Sequence, residues 1–597
     1  MNHGQYDMAS NPNTPDKRKN RKSDYYGAKK VRDDEIIVGA FDVETEGLGG
    51  RLLSVQWGIF GTIEYRTGPY MLDEFINAIC QFPKPVIWYG HFAQYDWRYM
   101  LETFAVRKML IEVCMRTDND VYEIRIMTEK GPVIMRDSYA IWNSPLEKLA
   151  SSFCPEIPKL KIDIEHFDPQ NNEHIEYAKR DVQILLVGLP RLFAMLQKHF
   201  GVTPSGTFAG TSLRGWQKTL APDEIYKVDR LNEKELFIRQ AYYGGLVFLT
   251  STATHADCET YDINSSYPAA MIEYGVPYGR AVECSDYHSG LPGIYHVTVK
   301  APDDLIVPIL PARNEKGAMR WYRGTFETVV TNRELIFAAN HGYEILDVKS
   351  GLVFEETVFP FNDLIDHCRN IRRAFKGGPE EILAKYMQNS LYGKFGSRRE
   401  RLRIIPAHMA EPGEIEGLTP YDDAGFWYVK KEIDEEMRCM PAWAVFITAN
   451  ARLRLLQAVY TIGPENVLYG DTDSITIKSG TRGALDVGDE YGQWKFEKEW
   501  AEFRAIAPKV YSGVLRDGRR TGAAKGLPRK GITDDHWREL LEDGETRAHA
   551  LSLPSLRATL KKGVKPAELL LRRSSVLENS ANFTVDSTGA VRVKYAA

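Results

Sequence analysis

The stretch NVLYGDTDSITIK, residues 466–478, decides the fold. Val467 to Tyr469 and Ile475 to Lys478 read as two short strands, and the Gly-Asp-Thr-Asp between them reads as the turn of a hairpin. Such a tip holds Asp471 and Asp473 together as a hard, all-oxygen, negatively charged pair. Mg²⁺ (or Mn²⁺) suits carboxylates of this kind, with substrate phosphates completing its shell. Alone, the string is an ordinary acidic turn, because Asp is a favoured turn residue. Its partners elsewhere in the chain change that reading.

In ETYDINSSYPAAM (259–271), Asp262 ends a strand, and Ser265, Ser266, Tyr267 and Pro268 turn into a helix. Two-metal phosphoryl transfer needs carboxylates from separate strands to hold two ions about 4 Å apart. Asp262 and Asp471 are the natural bridging pair. Tyr267, beside them, is placed to lie under an incoming sugar and exclude a 2′-hydroxyl. A third segment, KYMQNSLYGKFG (385–396), belongs to a helix that begins at Pro379 with Glu380 and Glu381 in its first turn. Lys385 and Tyr392 are seven apart, so about 100° per residue puts them on one face, with Asn389 between. A lysine there can grip a triphosphate while the tyrosine ring stacks near a nascent base pair.

The chain has 597 residues, 43% hydrophobic and 26% charged, which is enough for two to four domains of ordinary globular composition. No run of about 18 uncharged apolar residues occurs, and the first twenty residues lack the apolar core of a secretory signal. Cys80, Cys114, Cys154, Cys258, Cys284, Cys368 and Cys439 are scattered and never paired as CxxC, which disfavours disulfides and zinc and fits a reducing cytoplasm. Residues 1–34 form a basic, aperiodic tail, expected to be disordered. No GxxxxGK[ST] loop is present, so a P-loop ATPase is disfavoured.

In order, DxxSxYP, KxxxNSxYG and YGDTDS resemble motifs A, B and C of family B DNA polymerases, and in particular the small protein-primed phage enzymes of the phi-twenty-nine type. Tyr242, Gly244 and Gly245 resemble that subgroup's YxGG connector motif; Thr448 and Arg452 resemble its Tx₂(G/A)R motif; Lys509 and Tyr511 resemble KxY. Gly492, Trp494 and Glu497 fit its GxW…E stretch, and Ser266 departs from the usual leucine. The resemblance implies that these connector, helix and KxY residues contact DNA, and that the primer strand is gripped by Lys509 and Tyr511.

Ahead of these motifs, Asp42 and Glu44 lie two apart on an expected strand and so face one side. Asp96 follows in HFAQYD, and Tyr177 and Asp181 are i and i+4 on a helix. Four carboxylates and a tyrosine can hold two metals and orient a water for phosphodiester hydrolysis. This order resembles the Exo I, II and III motifs of DnaQ-like proofreading domains, with Lys161 as the auxiliary lysine and Lys159 as the alternative register. Two positions depart from the family: Phe92 stands where an asparagine is usual, and Tyr139 follows Ser138 where a leucine is usual. The expectation is an active exonuclease with an altered grip on the primer end.

The fold class expected is multidomain α/β and α+β: a ribonuclease-H-like exonuclease at 35–200, a linker at 201–240, and a polymerase domain at 241–597. Within the latter, palm is expected at 241–360 and 441–510, fingers at 361–396, an insertion at 397–440 and thumb at 511–597. A further insertion is expected somewhere in 300–350, and WAVFIT (443–448) reads as a strand. Basic residues Arg516, Arg519, Arg520, Lys525, Arg529 and Lys530, with Lys561 to Arg573, are expected to meet duplex phosphates. The implied protein is a monomeric enzyme of a bacterial host's cytoplasm, replicating a viral or mobile-element genome. Its partners are primer–template DNA, dNTPs and two Mg²⁺ per centre, with a terminal protein as primer. The rival is a polymerase that starts its own strands.

Overall fold

The computed structural model describes residues 36–397 except 83–85, 118–119 and 221–233, most of 400–433, then 440–525, 533–543 and short strands between 545 and 593. The basic tail, Arg529, Lys530 and the cluster from Lys561 to Arg573 lie outside the described residues. No described helix is long and apolar enough to cross a membrane.

The first unit comprises strands β1 (Ile37–Thr45), β2 (Leu52–Ile59), β3 (Thr62–Thr67), β4 (Val86–Gly90), β5 (Leu110–Thr117), β6 (Asp120–Thr128) and β7 (Gly131–Asp137). Its helices are α1 (Met71–Gln81), α2 (Gln94–Val106), α3 (Leu146–Phe153) and α4 (Asn172–Phe200). Strand β1 pairs antiparallel with β2 and parallel with β4. Alternation along β1 sends Phe41 and Val43 into a core with Trp57, Phe75 and Trp88 and leaves Asp42 and Glu44 for the other face. The 29-residue α4 starts where the Asn171 side chain accepts the Glu173 N–H and stops at left-handed Gly201 (φ 63°). Its apolar stripe, including Ala178, Val182, Leu185 and Leu189, is buried, and Tyr177 and Asp181 lie one turn apart beside it.

The expected linker is partly built into the core. Helix α5 (Phe208–Gly215) and the turn after it bury Phe208, Leu213 and Trp216, and Trp216 Nε1 donates to Pro360 O at 3.0 Å. Helix α6 (Glu235–Gln240) then leads into β8 (Val247–Leu249), β9 (His255–Ile263) and α7 (Ser266–Glu273). A compact region follows: β10 (Val276–Tyr278), β11 (Val282–Cys284), β12 (Gly293–Ala301), β13 (Pro311–Arg313), β14 (Met319–Trp321), β15 (Gly324–Thr331), α8 (Asn332–Ala339), β16 (Glu344–Val353) and β17 (Glu356–Val358). Its four-stranded sheet has the order β11-β16-β12-β15, and β13–β14 is a small hairpin within 300–350.

Helices α9 (Asn362–Ala374) and α10 (Pro379–Phe395) pack together, and α10 carries KYMQNSLYGKFG. Beyond the short strands β18 (Glu400–Pro406), β19 (Thr419–Pro420) and β20 (Trp427–Ile433) comes α11 (Pro441–Ile462). WAVFIT therefore lies in a helix, not a strand. Helix α11 is buried on nearly every side, with Trp443 and Ile447 in one core cluster, Val445 and Phe446 in another and Leu455 and Val459 in a third. A helix apolar all round has no amphipathic period to distinguish it from a buried strand.

The last strands are β21 (Val467–Asp471), β22 (Ser474–Lys478), β23 (Trp494–Ala507), β24 (Val510–Leu515) and β25 (Arg520–Ala524), before α12 (Asp534–Asp543). They form one antiparallel sheet in the order β25-β24-β23-β9-β22-β21-β8. This sheet runs to Ala524, past the boundary expected at 510, because the KxY strand β24 pairs along β23.

The segment expected as an insertion at 397–440 is not a free-standing unit. Strand β18 pairs Leu402 to Ile404 with Met115 to Val113 of β5, extending the first unit's sheet to ten strands, β19-β20-β18-β5-β6-β7-β4-β1-β2-β3. A charge ladder crosses this junction. Arg403 Nη1 lies 2.5 Å from Glu112, Arg125 3.3 Å from Glu112 and 2.6 Å from Glu123, and Arg136 2.6 Å from Glu123. Both glutamates are 2% exposed. Burial alone would raise the Glu123 pKa, but the Arg136 and Arg125 guanidiniums outweigh it and hold the carboxyl below its ordinary value. Glu123→Gln is expected to destabilise the protein by about 3 kcal/mol, because it leaves buried guanidiniums uncompensated. Glu46→Gln, which removes an exposed pair with Arg51 at 3.8 Å, should leave the urea midpoint unchanged. Midpoints measured side by side check both.

Candidate functional site: two carboxylate centres

The first centre sits where β9, β21 and β22 meet. Ser474 is the register partner of both Asp262 on β9 and Asp471 on β21, so one residue of β22 separates the two aspartates across the sheet. The turn is tighter than the sequence suggested, because the strands reach Asp471 and Ser474 and leave only left-handed Thr472 (φ 60°) and Asp473. Asp473 is tied back through its carbonyl, which accepts Ile263 N–H at 2.7 Å. Charge is concentrated here. Burial, then Asp473 and Glu497, push the Asp262 pKa up to about 7, against the opposing pull of Lys385 and Lys498. Burial and Asp471 likewise raise Asp473, with Lys509 opposing. Glu497 thus joins the three aspartates, a role its place in the GxW…E stretch did not disclose.

Lys509 Nζ lies 3.0 Å from each Asp471 oxygen, and its N–H donates to Tyr469 OH at 2.9 Å. Tyr511 packs 5.1 Å from the Tyr469 ring. On α10, Lys385 is exposed, and the Tyr392 ring stacks on Tyr267 with centroids 4.0 Å apart and planes 9° apart. Asn389 lies between them, its Oδ1 buried without a hydrogen-bond partner. A network with no local sequence signature ties these helices to motif A. Arg372 Nη1 donates to Ser265 Oγ at 3.0 Å and to Tyr491 OH at 2.8 Å, while buried Gln388 accepts from Tyr491 OH at 3.0 Å.

The Tyr242 ring packs where a Cβ on Gly396 would stand. Gly244 is exposed, and Gly245 abuts Thr472 of the motif C turn. Thr448 and Arg452 depart from expectation. Thr448 Oγ1 donates back to carbonyls of its own helix, at 3.0 Å to Ala444 and 3.1 Å to Val445. Arg452 is 1% exposed and paired with Glu334 at 2.7 Å. Both side chains face the interior from α11. Of the basic stretch, Arg516 pairs with Asp257 and Glu499, Arg519 with Asp517, and Arg520 with Asp534.

The second centre lies on β1, α2 and α4. Gln56 Nε2 donates to Asp42 Oδ2 at 2.7 Å, and Val43 N–H donates to Asp96 Oδ1 at 3.0 Å. Burial, then Asp181, push the Asp42 pKa up to about 7 despite Lys159. Burial and Asp42 raise Glu44 and Asp96 well above the carboxylate range, and burial raises Asp181 against the pull of Lys159. The lysine register is corrected here. Lys159 Nζ donates to Asp181 and lies 4.9 Å from the Tyr177 ring centroid, whereas the Lys161 side chain is 82% exposed, 3.4 Å from Glu147. Lys159 and Lys161 alternate on an irregular segment, and only the inward one meets the carboxylates.

The two departures from the exonuclease motifs touch each other. The rings of Phe92 and Tyr139 stack with centroids 4.0 Å apart, and Asp137 Oδ1 fixes both backbones by accepting Phe92 N–H at 3.0 Å and Tyr139 N–H at 2.9 Å. Phe92 is 49% exposed in a left-handed conformation (φ 57°). His91 Nδ1 lies 2.9 Å from Ser138 Oγ, and burial lowers the His91 pKa to about 4, so the ring is neutral.

Among the described residues, no three His, Cys, Asp or Glu side chains close around an ion as they stand. In each centre a lysine ammonium answers one carboxylate instead. The donor chemistry nonetheless fits a hard divalent cation. Asp262, Asp471 and Asp473, and Asp42, Glu44, Asp96 and Asp181, are all-oxygen sets, and burial, with neighbouring carboxylates second, raises most of their pKa values.

Comparison with known proteins agrees with this geometry. The family of organellar and viral type B DNA polymerases matches residues 170–411. A probable DNA polymerase of Neurospora intermedia is 28% identical over 341 residues, covering 51% of this chain and 35% of that protein. The DNA polymerase of Bacillus phage Nf is 26% identical over 413 residues, covering 63% of this chain and 67% of that one. The chain therefore matches about a third of the length of the fungal relative and two thirds of the phage one. The structure of phi29 DNA polymerase with primer–template DNA and incoming nucleotide superposes with a TM-score of 0.69 at 19% identity, covering 90% of this chain and all of that one. The fold is thus shared with phi29 DNA polymerase over most of the chain, and residues 170–411 are similar to the organellar and viral type B DNA polymerases.

Burial and neighbouring carboxylates push Asp262 and Asp42 from 3.8 up to about 7. Between about pH 4 and pH 7 the native state therefore holds protons that the unfolded chain has released, so stability falls across that window and the loss is complete above about pH 7. In EDTA, Asp262→Asn is expected to raise the thermal midpoint over wild type at about pH 8 and to raise it by clearly less near pH 5. Scanning calorimetry at the two pH values checks the difference.

Proposed function

We propose that the chain is a DNA-directed DNA polymerase of the organellar and viral B type, with its own 3′→5′ proofreading exonuclease. The register that sets Asp262 and Asp471 on either side of Ser474 carries this reading. Divalent ions held by Asp262, Asp471 and Asp473 would lower the pKa of a primer 3′-hydroxyl and neutralise the triphosphate. The chain's own groups do the rest. Lys385 offers its ammonium to the triphosphate, Tyr392 offers a ring to the nascent pair, and Tyr267 lies under the sugar, where a 2′-hydroxyl would collide. Asn389 holds its place on the same helix face. Lys509, paired with Asp471, and Tyr511 beside it receive the primer end.

In the exonuclease centre, Asp42, Glu44, Asp96 and Asp181 would hold divalent ions, Tyr177 would orient the attacking water, and Lys159 would offset the charge that builds as the phosphodiester is cleaved. The Phe92–Tyr139 stack offers an aromatic surface to the single-stranded end where the family uses an amide and an aliphatic side chain. We extend the reading to initiation on a terminal protein, on the strength of the segments 300–350 and 397–440 that lie beyond a bare palm and fingers. Against it stands a polymerase that begins strands alone.

Asp471→Ala is expected to lower primer extension by at least about 10²-fold and to spare degradation of a single-stranded 3′ end. Asp42→Ala with Glu44→Ala should do the reverse. On the degradation assay Lys159→Ala should lose activity while Lys161→Ala retains it, and equal losses would return the auxiliary role to Lys161. Purified protein given unprimed single-stranded DNA, Mg²⁺ and dNTPs should make no product; full-length product would overturn dependence on a primer.

A further inference from the structure

After Gln240 closes α6, residues 241–246 run to β8 without forming helix or strand, so the backbone polar groups here need partners elsewhere. Two arginines take the carbonyls. Arg313, on β13, donates from Nε to Gln240 O at 3.2 Å and from Nη2 to Tyr242 O at 2.7 Å, and its guanidinium lies 4.9 Å over the Tyr243 ring. Arg452, on α11, donates from Nη1 to Tyr243 O at 3.0 Å and to Gly244 O at 2.9 Å. Two further donors meet Glu334, whose Oε1 accepts Nε at 3.2 Å and Nη2 at 2.7 Å. Glu334 is itself fixed by a capping box with Thr331 at the start of α8. Four of the five Arg452 guanidinium N–H groups are thus engaged within the protein, and the side chain is 1% exposed.

The other edge of the loop is open. Gly244 is exposed with empty space where a Cβ would project, and a Cβ on Gly245 would come within 2.5 Å of Thr472 Oγ1. Thr472 N–H donates to Leu246 O at 2.8 Å, which ties the loop to the turn between Asp471 and Asp473. Among the described residues, no acceptor meets the Gly244 or Gly245 N–H. With the carbonyls pinned inward, these amide dipoles are oriented in advance, so meeting an anion needs little reorganisation.

We propose that Arg452, Arg313 and Glu334 are positioning residues of the polymerase centre: they fix the 240–245 loop so that the Gly244 and Gly245 amides meet a backbone phosphate of primer–template DNA beside the Asp471 turn. The inference rests on the polymerase reading above. It separates two roles that binding strength alone confuses. A cation touching DNA releases counterions, and its loss lowers the log–log salt slope by about one. A cation that only holds neutral amides in place changes affinity and leaves the slope alone.

The test uses the full-length protein and a hairpin primer–template, with Kd measured across a salt series for wild type, Arg452→Lys and Arg313→Ala. Arg452→Lys keeps the charge but loses the planar fork; Arg313 is exposed, so its replacement is compatible with folding if the buried site is not. Both variants should weaken binding roughly tenfold, about the worth of one or two hydrogen bonds, at an unchanged salt slope. Their KM for primer–template should rise by more than kcat falls. A slope lowered by about one in Arg313→Ala would make that residue a direct phosphate contact and overturn the proposal, as would unchanged affinity in both variants. Wild type that neither binds nor extends the hairpin would overturn the polymerase reading itself, a result distinct from either.

Discussion

Confined negative charge is the constraint on which this molecule is organised. At two places the fold gathers carboxylates that repel one another and have lost much of their water, and most of them titrate well above their ordinary range. Such clusters are costly unless opposite charge is supplied. Lys159 supplies some in one centre and Lys509 in the other, each pairing with one aspartate. The rest of the structure keeps the remaining carboxylates from relaxing apart. Strand β1 fixes Asp42 and Glu44, α4 fixes Asp181, and three neighbouring strands fix Asp262, Asp471 and Asp473.

The two centres are not held by separable pieces. Strand β18, which follows α10, extends the sheet that carries β1, and alternating Arg403, Glu112, Arg125, Glu123 and Arg136 make that seam charged as well as hydrogen-bonded. Arg239 bonds the carbonyls of Gly396 and Ser397 at the foot of the same excursion, while Arg313 and Arg452 grip the loop that follows it in space. Arginine recurs because one planar group can satisfy several carbonyls or carboxylates at once.

The placement of the catalytic candidates was legible because each rests on local structure. A DxE on a strand, a YxxxD on a helix and an Asp-rich hairpin fix their side-chain directions over a few residues, and the structure puts those residues on such elements. What escaped depends on distant partners. Lys159 and Lys161 lie on a segment without regular period, so nothing local says which one turns inward. The burial of Arg452 against Glu334, 118 residues away, has no local signature in the motif that carries it. The pairing of Leu402 with Met115 has no signature in either strand, and WAVFIT is too uniformly apolar to choose between helix and strand.

One measurement tests most directly whether a single chain holds both chemistries. A primer bearing a mismatched 3′ nucleotide, annealed to template and given Mg²⁺ and all four dNTPs, should yield full-length product in which the mismatch has been replaced. In Asp42→Ala with Glu44→Ala the same primer should stall or extend with the mismatch retained. Wild-type product that keeps the mismatch, or a double variant that still removes it, would contradict the account.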